Sequence, residues 1–190
     1  MNRIKLFAAL LVLGTIALAR PLWAQEEPSK LELYGGYDYV RFNINANVSG
    51  QPPFQTFNGN GGGGELVYNV GNWLGILGDL SGVWATNSSR QGAALPYLFG
   101  PRVNFRHRLV TPFLQVLLGG VITSSGIVET GWQSHFAMTT GGGIDFKISK
   151  HLSIRPLQAE YFMTRLPNGI NGRQDNFRYS AGISWLFGRK

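Results

Sequence analysis

The feature that most constrains this chain is a segment of about 9 to 12 residues that recurs along its length with a two-residue alternation. In the first such segment Leu33, Tyr37 and Tyr39 share one parity. Glu32 and Asp38 share the other. Because successive side chains of a β-strand point to opposite faces, this alternation predicts strands with one apolar and one polar face. We predict eight strands, at residues 31–41, 62–70, 73–84, 95–105, 110–122, 135–146, 152–164 and 176–187.

The polar parity of these segments carries the charged residues, and the other parity carries aliphatic and aromatic side chains. A soluble barrel such as a lipocalin would place its charges outside, so the pattern favours lipid around a polar interior. After Gln25, every apolar stretch is interrupted before it reaches the roughly 20 residues of a transmembrane helix. Because unpaired strand edges are costly in hydrocarbon, the strands must close on themselves. The sequence predicts an all-β, eight-stranded antiparallel up-and-down transmembrane β-barrel.

The connections between the predicted strands alternate in length. Short turns are predicted near residues 71–72, 106–108 and 148–150, and longer loops at residues 43–61, 85–94, 123–133 and 165–175. Gly71 and Asn72 form the type of pair that a tight two-residue hairpin favours. Membrane barrels of this type have short periplasmic turns and longer extracellular loops. We therefore assign the short set to the periplasm and the long set to the outside of the cell.

Aromatic residues cluster near the predicted strand ends. The candidates are Tyr37, Tyr39, Trp73, Trp84, Tyr97, Tyr161, Trp185 and Phe187. Amphipathic rings are favoured at the level of the lipid headgroups. The clusters therefore predict two interfacial girdles.

Seven charged residues lie on the inward parity of their strands. They are Glu65, Asp79, Arg102, Asp145, Arg155, Glu160 and Arg178, with Asp38 and Gln115 nearby. An eight-stranded barrel is just wide enough for side chains to fill its interior, and buried charges persist only when they are paired. We interpret the set as an internal salt-bridge plug. A charge-lined ion path is the functional alternative.

The seventh strand has a conflict of phase. Arg155 and Glu160 are both candidates for the interior, yet they lie on opposite parities. Pro156 lies between them, and proline is tolerated at β-bulges because it does not donate a ladder hydrogen bond. One extra residue at Pro156 would let both charges face inward, with Tyr161 and Met163 outward. We therefore predict a bulge at this position.

The beginning of the chain has the parts of a secretory signal peptide: a basic start, an apolar run at residues 6–19 and a small residue before a polar stretch. We predict a signal peptide at residues 1–24 and an outer-membrane β-barrel domain at residues 25–190. Cleavage after Ala24 is the chosen site, and cleavage after Ala19 is the alternative.

Composition excludes several other classes of function. The predicted signal peptide contains Arg3, Lys5 and Arg20, so its removal leaves 14 basic residues against 10 acidic ones. That balance is too weak to predict nucleic-acid binding. The chain has no cysteine, which excludes a disulfide framework and a thiolate metal site.

The last predicted strand carries Gly182-Ile183-Ser184-Trp185-Leu186-Phe187. This segment resembles the C-terminal assembly signal of the eight-stranded outer-membrane β-barrel superfamily, which includes the transmembrane domain of outer membrane protein A. In that signal a glycine is followed at plus three and plus five by hydrophobic or aromatic residues, positions that Trp185 and Phe187 hold relative to Gly182. The resemblance covers residues 31–187. It implies recognition by the barrel-assembly machinery and an environment of outer-membrane lipid and lipopolysaccharide.

We expect no catalytic, cofactor-binding or metal-binding site. His151-Leu152-Ser153 resembles part of the site of outer-membrane lipid A deacylases, which also use a carboxylate. The motif lies beside a predicted periplasmic turn, whereas lipid A is in the outer leaflet. His107 lies between two arginines of another turn, where we expect a solvated basic cluster, with a headgroup contact as the alternative, and His135 begins the sixth strand as an interfacial polar residue.

The leading functional hypothesis is a non-enzymatic, monomeric barrel that acts through its extracellular loops or in envelope integrity and surface interaction. The first long loop is the best candidate contact surface because it carries Pro52, Pro53, Phe54 and Phe57 among Asn and Gly. A narrow channel or small-solute porin is the first alternative. A lipid A-modifying enzyme is the second.

Overall fold

The computed structural model describes residues 28–44, 55–87, 90–124, 133–166 and 172–188. The eight strands are β1 (Leu31–Ile44), β2 (Gln55–Asn69), β3 (Leu74–Asn87), β4 (Arg90–Asn104), β5 (Val110–Thr123), β6 (Gln133–Lys147), β7 (Leu152–Thr164) and β8 (Gln174–Phe187). Each strand pairs antiparallel with its neighbours in sequence, and β1 pairs with β8 to close the barrel. The predicted fold class is confirmed. The predicted signal peptide, residues 1–24, lies outside the described residues.

The barrel has an apolar outside and a polar inside. Phe99 is 62% exposed on the outer surface, whereas Arg102, three residues along the same strand, is 1% exposed. Soluble proteins rarely bury charges in this way while exposing large apolar side chains. The predicted alternation of faces is confirmed, and the outer surface is the one that lipid covers. Among the described residues no helix is long and apolar enough to cross a membrane.

The strands are staggered as well as paired. Following the hydrogen-bonded partners once around the barrel from Leu31 leads back to β1 at Arg41, ten residues farther along. Such a stagger tilts the strands relative to the barrel axis. Side chains that are far apart in sequence therefore meet at one level of the lumen.

The two ends of the barrel differ. At the turn end, strands are joined at residues 70–73, 105–109 and 148–151, and both termini of the barrel lie there. At the loop end, several strands extend beyond the predicted limits. The predicted long loop at residues 85–94 is wrong, because β3 and β4 continue to residues 87 and 90. Small polar residues fill this stretch and show no alternation, but their backbone ladder continues because it satisfies the N–H and C=O groups.

The predicted two-residue hairpin at Gly71-Asn72 is also wrong. Four residues, Val70 to Trp73, separate β2 from β3, and the backbone amides of Val70 and Gly71 both donate to the carbonyl of Leu74 at 3.0 and 3.2 Å. A tight two-residue turn of the predicted kind needs positive φ angles. Within the described part of the chain only Gly172 and Gly188 have them.

The eight aromatic residues predicted for the girdles all lie outside the core. Trp73 and Trp185 are close to the turn end, and Tyr39 and Tyr161 are closer to the loop end. Tyr97 lies in the middle of β4 because that strand extends farther than predicted. The girdle on the loop side is therefore several residues below the ends of the strands.

The bulge in β7 is confirmed. The register between β7 and β8 shifts between Arg155 and Gln158, which places one extra residue at Pro156. The register with β6 shifts at the same level. As a result Arg155 and Glu160 are both buried in the lumen, although they have opposite parity in the sequence.

Candidate functional site in the barrel lumen

The half of the lumen near the turn end contains two arginines that share two carboxylates. Arg155 Nη1 is 2.6 Å from Glu65 Oε2, and Arg155 Nε is 2.7 Å from Asp145 Oδ1. Arg102 pairs with the same Asp145 and lies 3.8 Å from Glu65 Oε2. All four side chains are buried. Each guanidinium thus bridges two strands that do not neighbour each other in the sheet.

Aromatic rings cover the faces of these guanidinium groups. The Cζ atom of Arg155 is 4.1 Å from the ring centroid of Tyr34 and 4.5 Å from that of Phe113. The Cζ atom of Arg102 is 3.7 Å from the centroid of Phe113. Because a cation is attracted to a ring face, these contacts stabilise the two buried arginines.

A second group of charges lies toward the middle of the lumen. Arg178 is 2.6 Å from Asp79 Oδ2 and 2.6 Å from Glu160 Oε2. Gln115 Nε2 donates to Glu160 at 2.9 Å and to Glu65 at 3.5 Å, so it connects the two groups. The lumen therefore contains one continuous network, in which each of the three buried arginines pairs with two carboxylates.

Asp38 is attached to the edge of this network. Its carboxylate is buried and accepts a hydrogen bond from the hydroxyl of Ser180 across the β1–β8 seam. Arg178 Nη1 also donates to the hydroxyl of Ser81 at 3.1 Å. The hydroxyls thus satisfy polar groups that ion pairs alone do not cover.

An apolar layer fills the lumen on the loop side of the charges. Its members come from six strands or their ends: Val40, Phe42, Val83, Ala94, Val121, Ala137, Phe162 and Leu166. All of them are buried. This layer was not predicted. The expected strands ended before Phe42, Ala94 and Leu166, and the inward Val, Ala and Phe residues within the expected strands were not singled out. The signal was present in β1, where Val40 and Phe42 continue the inward parity of Asp38.

The turn end is closed by a third polar group. Arg106 Nη2 is 2.9 Å from Glu32 Oε1 and donates to Asn69 Oδ1 at 2.9 Å. Asn69 Nδ2 donates to Glu32 Oε1 at 2.7 Å, and Arg106 Nε donates to the Asn72 carbonyl at 3.0 Å. Sequence reasoning placed Glu32 inside but treated Arg106 as part of a solvated turn. The guanidinium instead folds back over the mouth of the barrel.

The structure brings all seven predicted charged residues together in the lumen and joins them through direct contacts or through Gln115. Their combined role as a plug stays a prediction. The network contains further members that the sequence did not single out, namely Gln158, Tyr34 and Phe113. Gln158 donates to Glu65 at 3.0 Å.

The histidine motif does not form a joint site. His151 is exposed in the turn before β7, whereas Ser153 is buried on the inner face. Glu160, the carboxylate considered with them, is paired with Arg178. Across the described ranges no group of three or more His, Cys, Asp or Glu residues is placed to hold a metal ion.

The segment that resembles an assembly signal ends β8. Trp185 and Phe187 are exposed on the outer surface, and Gly182 lies at the seam with β1. A Cβ atom at Gly182 would be 2.3 Å from the carbonyl oxygen of Gly35 and 2.6 Å from the Cα of Gly36. The close approach of the two backbones explains the glycine. Recognition by the assembly machinery stays a prediction.

A profile of the outer membrane protein beta-barrel domain family matches residues 6–185. The chain belongs to this family. A search of curated proteins gave no match.

Solved structures with the same fold include the Neisserial surface protein A, NspA, at 14% identity and a TM-score of 0.64, covering 84% of this chain and 98% of that one. Ail, the attachment invasion locus protein of Yersinia pestis, is 16% identical with a TM-score of 0.55, covering 84% and 99%. OprG from Pseudomonas aeruginosa is 11% identical with a TM-score of 0.57, covering 85% and 97%. At these identities the likeness shows the fold alone.

Proposed function

We propose that this outer-membrane barrel is non-enzymatic, keeps its lumen closed, and acts at the cell surface or in envelope integrity through its extracellular end. The observation that carries the proposal is the layering of the lumen. A solute entering from the loop end would meet the apolar layer first and the paired charges next. Arg106 and Glu32 then obstruct the turn end.

Two different barriers in series oppose the transport of ions and solutes through this barrel. Apolar side chains dominate this layer, in which Thr164 and Asn176 are among the buried polar residues, and desolvating a charge there is costly. Below it, a passing ion would have to displace Asp79 or Glu160 from Arg178, and an unpaired buried charge costs about 3–5 kcal/mol. We therefore place the interactions of the protein on the surfaces outside the lumen.

The names of two structural relatives agree with a surface role. NspA is a surface protein, and Ail is an attachment invasion locus protein. The candidate contact loop with Pro52, Pro53 and Phe54 lies outside the described residues. Phe57, predicted for the same loop, is in β2 instead.

The chain reaches the outer membrane by export and assembly. It is exported with a signal peptide at residues 1–24 and folds through the barrel-assembly machinery, which reads Gly182, Trp185 and Phe187. It then stands as a monomer among outer-membrane lipid and lipopolysaccharide. The domain at residues 25–190 needs no cofactor, and its partners do not include nucleic acid.

Planar bilayer recordings separate this proposal from the narrow-channel alternative. We expect the folded protein to give no stable single-channel current under conditions in which a porin control conducts. Discrete openings whose ion selectivity changes in Arg102→Gln or Asp145→Asn would instead establish a channel. A lipid A mass spectrum that changes with the wild-type chain but not with Ser153→Ala would establish an enzyme.

The surface role itself is tested by exchanging residues 45–54 for a glycine-serine segment of equal length. Cells that display the wild-type barrel should gain adhesion relative to cells without it. The exchange variant should lose that gain while it reaches the outer membrane in the same amount. A gain that is unaffected by the exchange would contradict a role for this loop.

A further inference from the structure

The turn end of the barrel carries exposed basic side chains at three of the positions where the chain enters or reverses. Lys30 precedes β1, Arg108 lies between β4 and β5, and Lys150 and His151 lie between β6 and β7. All four are exposed. These positions are spread around the barrel, so the charges form a ring, which we call the basic rim.

The carboxylates near the basic rim point away from it. Glu32 is buried and pairs with Arg106, and Asp145 is buried and pairs with Arg155. Among the described residues the one exposed carboxylate is Asp175, near the loop end of the barrel. Within the described ranges, therefore, no exposed acid lies beside the rim to offset its positive charge.

Large apolar side chains alternate with the cations in the same turns. Leu109, beside Arg108, is 63% exposed, and Ile148, two residues before Lys150, is 60% exposed. Val70 and Trp73 are exposed in the remaining turn. Apolar side chains at this level are favoured at the boundary between acyl chains and headgroups, where long cationic side chains reach the phosphates.

We infer that the basic rim binds anionic phospholipid headgroups of the periplasmic leaflet and holds the barrel at a fixed depth. Charge complementarity selects an anion, and the apolar neighbours select a lipid over the carboxylates of the cell wall, which would leave Leu109 and Ile148 in water. Anionic surfaces attract such cations over a distance of about one Debye length, so the contact weakens with added salt.

Native mass spectrometry of the folded chain released from mixed micelles tests this inference with phosphatidylglycerol and phosphatidylethanolamine as probes. We expect the wild type to retain phosphatidylglycerol preferentially. The Arg108→Gln/Lys150→Gln variant should lose about fivefold of that preference for each cation removed. The matched control is Arg41→Gln/Arg165→Gln, which removes two exposed arginines near the loop end and should keep it.

Three outcomes would overturn the inference. The wild type could show no preference between the two lipids, or the control variant could lose as much preference as the rim variant. The third outcome concerns sedimentation with isolated cell wall. If the wild type and the control variant sediment with it, and the rim variant does not although it keeps its lipid preference, the cell wall is the ligand. A heat-modifiability gel confirms that each variant is folded.

Discussion

Arg155 contacts two carboxylates and two aromatic rings inside the lumen, where its side chain is fully buried. A buried guanidinium is stable only when its hydrogen bonds are satisfied, and here Glu65, Asp145 and Gln158 accept them. The parity of the sequence indicated that this residue faces inward. Its partners could not be predicted, because they depend on the stagger between strands that are distant in the chain.

Removing this cation should destabilise the barrel strongly. We expect Arg155→Met to lower the free energy of unfolding by about 3–5 kcal/mol, because Glu65 and Asp145 lose a cation that they share. Urea unfolding in lipid vesicles measures the change. Arg165→Met, at an exposed position just after β7, is the control and should stay within about 0.5 kcal/mol of the wild type. Equal losses in the two variants would show that the lumen contacts carry no special stability.

Gly182 is required by the space between β8 and β1, not by a special φ angle. We expect Gly182→Ala to destabilise the barrel by about 1–3 kcal/mol, because the added Cβ would meet the carbonyl oxygen of Gly35 at 2.3 Å. Gly78→Ala is the matched control, since a Cβ there has no atom within 4 Å. The same unfolding assay should show little change for Gly78→Ala, and a loss at both positions would point to a general effect of glycine replacement.

At the scale of the strand, the bulge in β7 decides which charges enter the lumen. We expect deletion of Pro156 to abolish folding, because without the extra residue either Arg155 or Glu160 would face lipid. Pro156→Ala keeps the residue count and should fold. Heat-modifiability gels distinguish the two, and a deletion variant that migrates like the wild type would contradict the assignment of the bulge.

The strands also show how far a sequence pattern can be followed. The alternation predicted which residues of the membrane-spanning strands face lipid and which face the lumen, because the two environments require opposite polarities of the two parities. It did not predict where β2, β3 and β4 end near the loops. Beyond the girdle both faces meet water or neighbouring chain, so small polar residues occupy either parity and the pattern disappears.

At the scale of the whole molecule, the interior is arranged in layers along the barrel axis. Polar residues around Arg106 close the turn end, the arginine network fills the middle, and mainly apolar side chains, with a few buried polar residues, fill the loop end. The sequence predicted the charged layer from its parity. The apolar layer was not predicted, because an inward-facing Val or Phe in the sequence cannot be told from an ordinary core residue until its position along the barrel axis is known.

We expect that water reaches neither the lumen nor the outer wall of the folded barrel. The chain contains no cysteine, so single-cysteine variants can report each surface separately. The variants are Lys150→Cys at the basic rim, Thr139→Cys in the lumen and Leu114→Cys on the outer wall.

The most direct measurement is the labelling of these three variants in lipid vesicles with a water-soluble maleimide and with a lipid-soluble one. We predict that the water-soluble reagent labels Lys150→Cys alone and that the lipid-soluble reagent labels Leu114→Cys. All three should react after unfolding. Rapid labelling of Thr139→Cys by the water-soluble reagent would reveal a water-filled lumen, and labelling of Leu114→Cys by that reagent would contradict the assignment of the outer wall to lipid.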